Sequence, residues 1–342
     1  MRPSTDRSLK PIADGRRWNF VPDPGQMALR PQVSGNTING LGERAVRRPT
    51  PVYWQKPASI AHGRMQEWFE QRPIGESVRA ALARRQAVMD TPMPERAETR
   101  QRKSPREWSA GVRERALAFD ADLVGVTAFR AGWVYADRAP PRYPWCIVLG
   151  VGQDYAQMRY APQEPAGTEV LVQYGRILSA ARRLSGWIRT QGWDAEPFGS
   201  PTPATFPLIP AAIAAGFGEL GKHGSIINRI WGANFRLAAV LTDLPLQADR
   251  ADVFGADEFC RNCRVCEKAC PVDAIAPLPQ LVRGVERWYV DFDRCQPFFN
   301  EHLGCSICTT VCPWSRPGIA PGLLAKMARR SLPVERAGAA GQ

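Results

Sequence analysis

Between residues 112 and 253 the apolar positions fall into two patterns. Mostly apolar stretches of strand length stand at 123–127, 145–151 and 235–241, the last interrupted by Arg236. Apolar residues recurring every third or fourth position predict helices over 112–119 and 169–188. The second of these sets Val170, Tyr174, Ile177, Leu178, Ala181, Leu184 and Ile188 near one face. An Ala-rich stretch at 209–215, entered through Pro207, reads as a short helix. Strands interleaved with helices imply a sheet layered with helices. Upstream, residues 1–110 are broken by Pro, Gly and Arg, from Pro22-Asp23-Pro24-Gly25 to Arg47-Arg48-Pro49. This part is expected to wrap over the core with little regular structure. Its one helix-like stretch, 74–89, puts Val78, Ala81, Leu82 and Val88 on one face.

Of the 342 residues, 44% are hydrophobic, enough for a sizeable core. The longest apolar runs are far too short to span a bilayer. The net charge of +12 is uneven. Residues 1–110 hold 20 Lys and Arg against 11 Asp and Glu, nine of the twelve net charges. Solvated surface explains such an excess. So does an arm for RNA or for an acidic redox partner. Met1 to Asp23 contains no apolar stretch, and Arg16-Arg17 is followed by Trp, Asn and Pro rather than an apolar helix. The cytoplasm is therefore the expected location, where thiols stay reduced.

The cysteines carry the chemistry. Eight of nine lie between 260 and 312. Cys260, Cys263, Cys266 and Cys270 form C-x2-C-x2-C-x3-C before Pro271, the bacterial ferredoxin run. Cys295, Cys305, Cys308 and Cys312 form C-x9-C-x2-C-x3-C before Pro313. In such a run three thiolates face one cube and the fourth serves the other. The expected sets are Cys260, Cys263, Cys266 and Cys312 for one [4Fe–4S] cluster, and Cys270, Cys295, Cys305 and Cys308 for the second. Two interleaved runs disfavour structural zinc. Cys146, inside an apolar run, reads as a buried small hydrophobe.

Gly216-Phe217-Gly218-Glu219-Leu220-Gly221 matches G-x-G-x-x-G, but a dinucleotide site should follow a strand. Here a helix precedes it. The loop, with Lys222 and His223 behind it, reads better as a turn that brings backbone N–H groups close to another large ligand.

The stretch from Ile209 through Lys222, then Gly232-Ala233-Asn234-Phe235-Arg236 running into Thr242-Asp243-Leu244-Pro245-Leu246, then the double cysteine run ending Cys312-Pro313-Trp314, resembles the corrinoid-dependent reductive dehalogenases. Epoxyqueuosine reductases, which act on tRNA, share a similar layout. The resemblance covers roughly residues 110–320. It implies an α+β chain: a basic segment (1–110), a nitroreductase-like α/β corrinoid-binding domain (111–253), a ferredoxin-like two-cluster domain (254–318) and a tail (319–342). It implies a base-off cobalamin, with Gly216, Gly218, Gly221, Lys222 and His223 in its loop. A reduced cobalt centre would remove halide from an organohalide, fed by an external low-potential donor such as a ferredoxin, flavodoxin or flavin reductase. Tyr174 is carried over as proton donor, at the opening of a helix, and Arg236 as its basic partner, in the loop entering the later strand. Tyr155, Tyr160 and Lys222 are fallback candidates. The family pattern Pro-Arg-Val-Arg is replaced here by Ala233-Asn234-Phe235-Arg236. The alternatives are a tRNA-modifying reductase and a non-enzymatic ferredoxin-type carrier.

Overall fold

The structure, a computed structural model, describes residues 18–199 and 205–331. Arg16-Arg17 and the end of the tail lie outside them. The N-terminal segment is more regular than its Pro and Gly content suggests. It carries α1 (Pro24–Met27), α2 (Gly35–Asn39), α3 (Gly63–Gln71) and α4 (Glu76–Asp90). Asp23 and Ser34 cap the first two through side-chain oxygens.

Helix α5 (Pro105–Ala118) starts on a capping box of Ser104 and Glu107. Strands β1 (Leu123–Ala128) and β2 (Trp145–Gly152) follow, then α6 (Tyr155–Met158) and the long α7 (Glu164–Thr190). Pro165 lies in the first turn of α7, where its missing N–H costs nothing. Strand β3 (Ala195–Gly199), α8 (Leu208–Ala214), a hairpin of β4 (Glu219–Leu220) and β5 (Ile226–Ile227), and β6 (Phe235–Thr242) complete the middle part. The main sheet has the order β1-β2-β6-β3 and is antiparallel throughout.

Alternation along β2 and β6 sorts side chains onto two layers. Ile147, Leu149, Val151, Ala238 and Val240 face α5 and α7, where Trp108, Ile177, Leu184 and Ile188 are fully buried. Cys146, Val148, Phe235, Ala239 and Leu241 face α8 and Phe217. Cys146 is a packed apolar residue, and burial pushes its thiol up to about 12.

The cysteine module comprises α9 (Ala256–Asn262), α10 (Val265–Ala269), a hairpin of β7 (Gln280–Val282) and β8 (Val285–Arg287), α11 (Phe292–Glu301) and α12 (Ile307–Thr310). Beyond it lies α13 (Ala320–Ser331). The N-terminal segment clasps this module. Tyr53 Oη donates to Asn300 Oδ1 at 2.7 Å, and Gln26 Nε2 donates to the Pro297 carbonyl at 3.2 Å. Arg30 pairs with Asp293 at 3.0 Å. Trp18 and Phe20 pack edge-on against Phe298, on which His302 stacks at 3.8 Å. Several of the segment's basic groups are thus engaged inside the protein. Arg48, for example, donates to the Ala136 carbonyl at 2.8 Å. No described helix is long and apolar enough to cross a membrane.

Candidate active site and cysteine centres

The eight clustered cysteines fall into two groups by the neighbours each thiol feels. Cys312 is surrounded by Cys260, Cys266 and Cys263 although it lies more than forty positions away in the chain. Cys295 feels Cys270, and Cys305 feels Cys295 and Cys270. Cys308 feels Cys305, Cys295 and Cys270, and also Cys266 of the other group, so the two groups adjoin. Burial, reinforced by neighbouring sulfurs, pushes the thiols of Cys266 and Cys295 up to about 12. Gathering thiolates in so dry a place requires a compensating positive centre. Among the described residues no three His, Cys, Asp or Glu side chains converge as closely as a single metal ion needs. The donor set, eight sulfurs in two adjoining groups of four, fits two cubane clusters better than zinc.

Lys222 sits against the first group. Its backbone N–H donates to Cys260 Sγ at 3.5 Å. Its side chain is 1% exposed, reaches Glu267 Oε2 at 3.5 Å and lies 5.2 Å from the Trp288 ring centre. A buried lysine held this way is a fixed charge beside the sulfurs. His223, also buried, accepts at Nδ1 from the Ser225 N–H at 3.2 Å. Burial pulls its pKa down to about 4, so the ring is neutral.

The glycines before them answer to the chain's own packing. Gly216 (φ +84°) and Gly218 (φ +125°) need left-handed backbone, and an added Cβ would stand 2.7 Å from the Arg250 carbonyl and 2.0 Å from the Ile227 carbonyl oxygen. At Gly221 a Cβ would meet His223 and Ile227 at 2.8 Å. Helix α8 precedes this loop and a short strand follows, the reverse of a dinucleotide turn.

On the other layer the structure brings Tyr174 and Arg236 together. The Arg236 guanidinium carbon lies 5.3 Å from the Tyr174 ring centre. Two details differ from the expectation. Tyr174 stands nearly three turns inside α7 instead of opening a helix, because the apolar stripe continues upstream through Ala166 and Val170. Arg236 is the second residue of β6, opposite Val151 of β2, and not in the entering loop. Its position on the strand turns it toward α7, as Ala238 and Val240 are turned. Helix α7 also touches the cysteine module. Ala166 and Val170 pack in one apolar cluster with Cys266, Cys270, Cys305 and Cys308. Tyr174 follows Val170 by one helical turn, about 6 Å along the axis. Tyr155 lies on α6, and Tyr160 in the turn beyond it.

Asn234 was not legible as a functional residue. It is buried, and neither Oδ1 nor Nδ2 has a hydrogen-bond partner among the described residues. The same holds for Arg236 Nε, His223 Nε2 and Trp314 Nε1. Buried polar atoms are rarely left unpaired. These four residues lie on the strand entry, the Lys222 loop and the turn after Cys312, and the Ala233 N–H donates to Ser315 Oγ at 2.8 Å across that junction. A large polar cofactor between strand entry and first cysteine group fits these orphaned atoms. A groove of about 450 Å³ elsewhere, between α4 and Arg182, Arg183 and Trp187 of α7, contains none of the predicted site residues.

Sheet, helices and paired cysteine runs define an α+β protein with a C-terminal ferredoxin-like 4Fe-4S dicluster domain, whose family matches residues 259–315. The chain resembles the reductive dehalogenases. A tetrachloroethene reductive dehalogenase of Desulfitobacterium hafniense is 32% identical over 209 residues, 57% of this chain and 37% of that protein. The catabolic reductive dehalogenase NpRdhA superposes with a TM-score of 0.73 over 90% of this chain and 47% of its own, at 19% identity, a likeness of fold. An epoxyqueuosine reductase of Leadbetterella byssophila is 34% identical over 118 residues, 30% of this chain and 34% of that protein. The chain therefore spans less than half the length of these relatives.

Proposed function

We propose that the chain is a cytoplasmic, corrinoid- and iron–sulfur-dependent reductase of reductive dehalogenase type. The observation that carries this reading is helix α7. It packs on the cysteine centres at Val170 and presents Tyr174 to Arg236 one turn later. The same helix thus meets the cysteine module and carries the proposed proton donor, and reductive cleavage needs both electrons and a proton. The balance is R–X plus two electrons and one proton, giving R–H and X⁻.

Cys260, Cys263, Cys266 and Cys312 would hold one cluster, and Cys270, Cys295, Cys305 and Cys308 the other. The Lys222–His223 loop, Asn234 and Trp314 would hold the corrinoid. When bound, the clusters would relay electrons from the donor and the corrinoid would supply a reducing cobalt centre. Tyr174 would hold and donate the proton as general acid. The Arg236 guanidinium favours the phenolate left after donation. An external low-potential donor, a ferredoxin, flavodoxin or flavin reductase, must supply both electrons.

The test is reconstitution with iron, sulfide and cobalamin, followed by absorbance and EPR spectra and an assay of halide release from a halogenated phenol. Tyr174→Phe should lower turnover by at least about 10²-fold and leave both cluster spectra and corrinoid uptake unchanged. Failure to retain corrinoid would sink the reading. A second reading, an epoxyqueuosine-reductase-like enzyme, is supported by the 118-residue likeness. Turnover of an epoxyqueuosine-containing tRNA stem-loop in place of halide release would establish it.

A further inference from the structure

The groove of about 450 Å³ on the outer side of α7 has the volume of a small-molecule site. Its apolar lining comes from Met93 and Pro94, in the chain leaving α4, and from Phe119 and Trp187. That chain is tied to α7 at two points. Arg182 donates to the Thr91 carbonyl, and Arg189 Nε donates to the Pro94 carbonyl at 2.7 Å. Gly186 admits it, since an added Cβ would stand 2.9 Å from Pro94 Cδ. The groove is therefore built into the fold. Two arginines, Arg182 and Arg183, line it, and no acidic residue does. The Arg183 guanidinium carbon lies 4.4 Å from the Phe119 ring centre, a contact that orients the cation without neutralising it. Among the described residues the ion pairs of the α7 arginines belong to Arg176 and Arg189, and neither groove arginine has one. Asp120 feels the Arg183 charge but is held by Arg176 at 2.8 Å.

We propose that this groove is a binding site for a small aromatic carboxylate. Its ring would cover the apolar lining, and its carboxylate would take the two guanidiniums. An inorganic anion would leave the apolar surface uncovered, and a hydrocarbon would leave both cations unanswered. Guanidinium is the cation that pairs with a planar carboxylate while stacking on aromatic faces. The site is separate from the Tyr174–Arg236 pair, and the proposal holds whatever reaction that pair serves.

The test is isothermal titration calorimetry of the full chain, reconstituted with both clusters and cobalamin, with 2-naphthoate as probe. One naphthoate should bind per chain. The neutral 2-naphthamide, of nearly the same shape, should bind at least about 10-fold more weakly. Arg183→Gln should weaken naphthoate by about 10-fold, and Ser179→Phe, which fills the groove from α7, should abolish its binding. Circular dichroism shows whether each variant is folded. If Ser179→Phe fails to fold, Arg183→Gln and the amide still decide the matter. Absence of binding to the parent chain overturns the proposal. So does equal affinity for acid and amide, or unchanged affinity in folded Arg183→Gln, which would place the probe elsewhere. An RNA stem-loop that binds this face while naphthoate does not would overturn it as well.

Discussion

The backbone N–H of Lys222 points at the sulfur of Cys260, and the side chain of the same residue reaches Glu267, the neighbour of Cys266. One residue of the glycine-rich loop thus grips the first cysteine group from two sides. Hydrogen bonds and fixed charges near the sulfurs set how readily a cluster accepts an electron.

Lys222→Met removes the buried charge and leaves Glu267 with only Arg264, 2.5 Å away, as its partner. Breaking a buried pair should cost about 3 kcal/mol of stability, read as a lower urea midpoint. The first cluster should also become harder to reduce, seen as a more negative midpoint in an EPR-monitored redox titration. An unchanged potential would show that the lysine only fills space.

His223 makes stability depend on pH. Its ordinary pKa of 6.5 falls to about 4 in the fold because the ring is buried. Between those values the unfolded chain binds a proton that the folded chain does not. Stability must therefore fall as pH drops through that window, by about 1 kcal/mol per unit below 6.5. Urea unfolding at pH 7.5, 6.5 and 5.5 measures the slope. His62 and His302, whose pKa burial also lowers, contribute to the same slope, so His223→Gln should reduce it, and equal slopes in the two proteins would contradict the assignment.

The two cysteine groups predict which losses go together. Cys312→Ala should remove the same EPR signal as Cys260→Ala, and Cys270→Ala the same signal as Cys305→Ala. Iron should fall from about eight to about four per chain in each case. If Cys312→Ala instead matched Cys308→Ala, its nearest neighbour in sequence, the interleaved pairing would be wrong.

What sequence could reveal followed from how far each signal reaches along the chain. The three apolar strands, the α7 stripe and the cysteine spacing are local patterns, and the structure places all of them within a few residues of expectation. Strand β3, Ala-Glu-Pro-Phe-Gly, is an edge strand that pairs on one side only and tolerates a proline, so it gave no strand pattern. Helix α3 is strongly polar in composition, and its buried Met65 and Gln66 answer to Asn300 and Gln55 from distant segments. Lys222 looks like a surface residue by type, and only tertiary packing buries it beside Glu267. Tyr174 and Arg236 were found through a likeness to known proteins; their periodicity alone places Tyr174 among core residues.

Gly218 separates a ligand role from a folding role. Its φ of +125° belongs to glycine, and any Cβ would sit 2.0 Å from the Ile227 carbonyl oxygen, across the small hairpin that leads into Lys222. Neither obstacle is the far end of a flexible side chain, so relief requires the hairpin itself to move. Gly218→Ala should therefore cost about 2–4 kcal/mol before any cofactor is added, measured as thermal or urea unfolding of the cofactor-free chain. Gly132→Ala is the control, since nothing lies within 4 Å of its Cβ position. A Gly218→Ala protein as stable as the parent, yet weaker for cobalamin, would instead mean that this glycine makes room for the ligand.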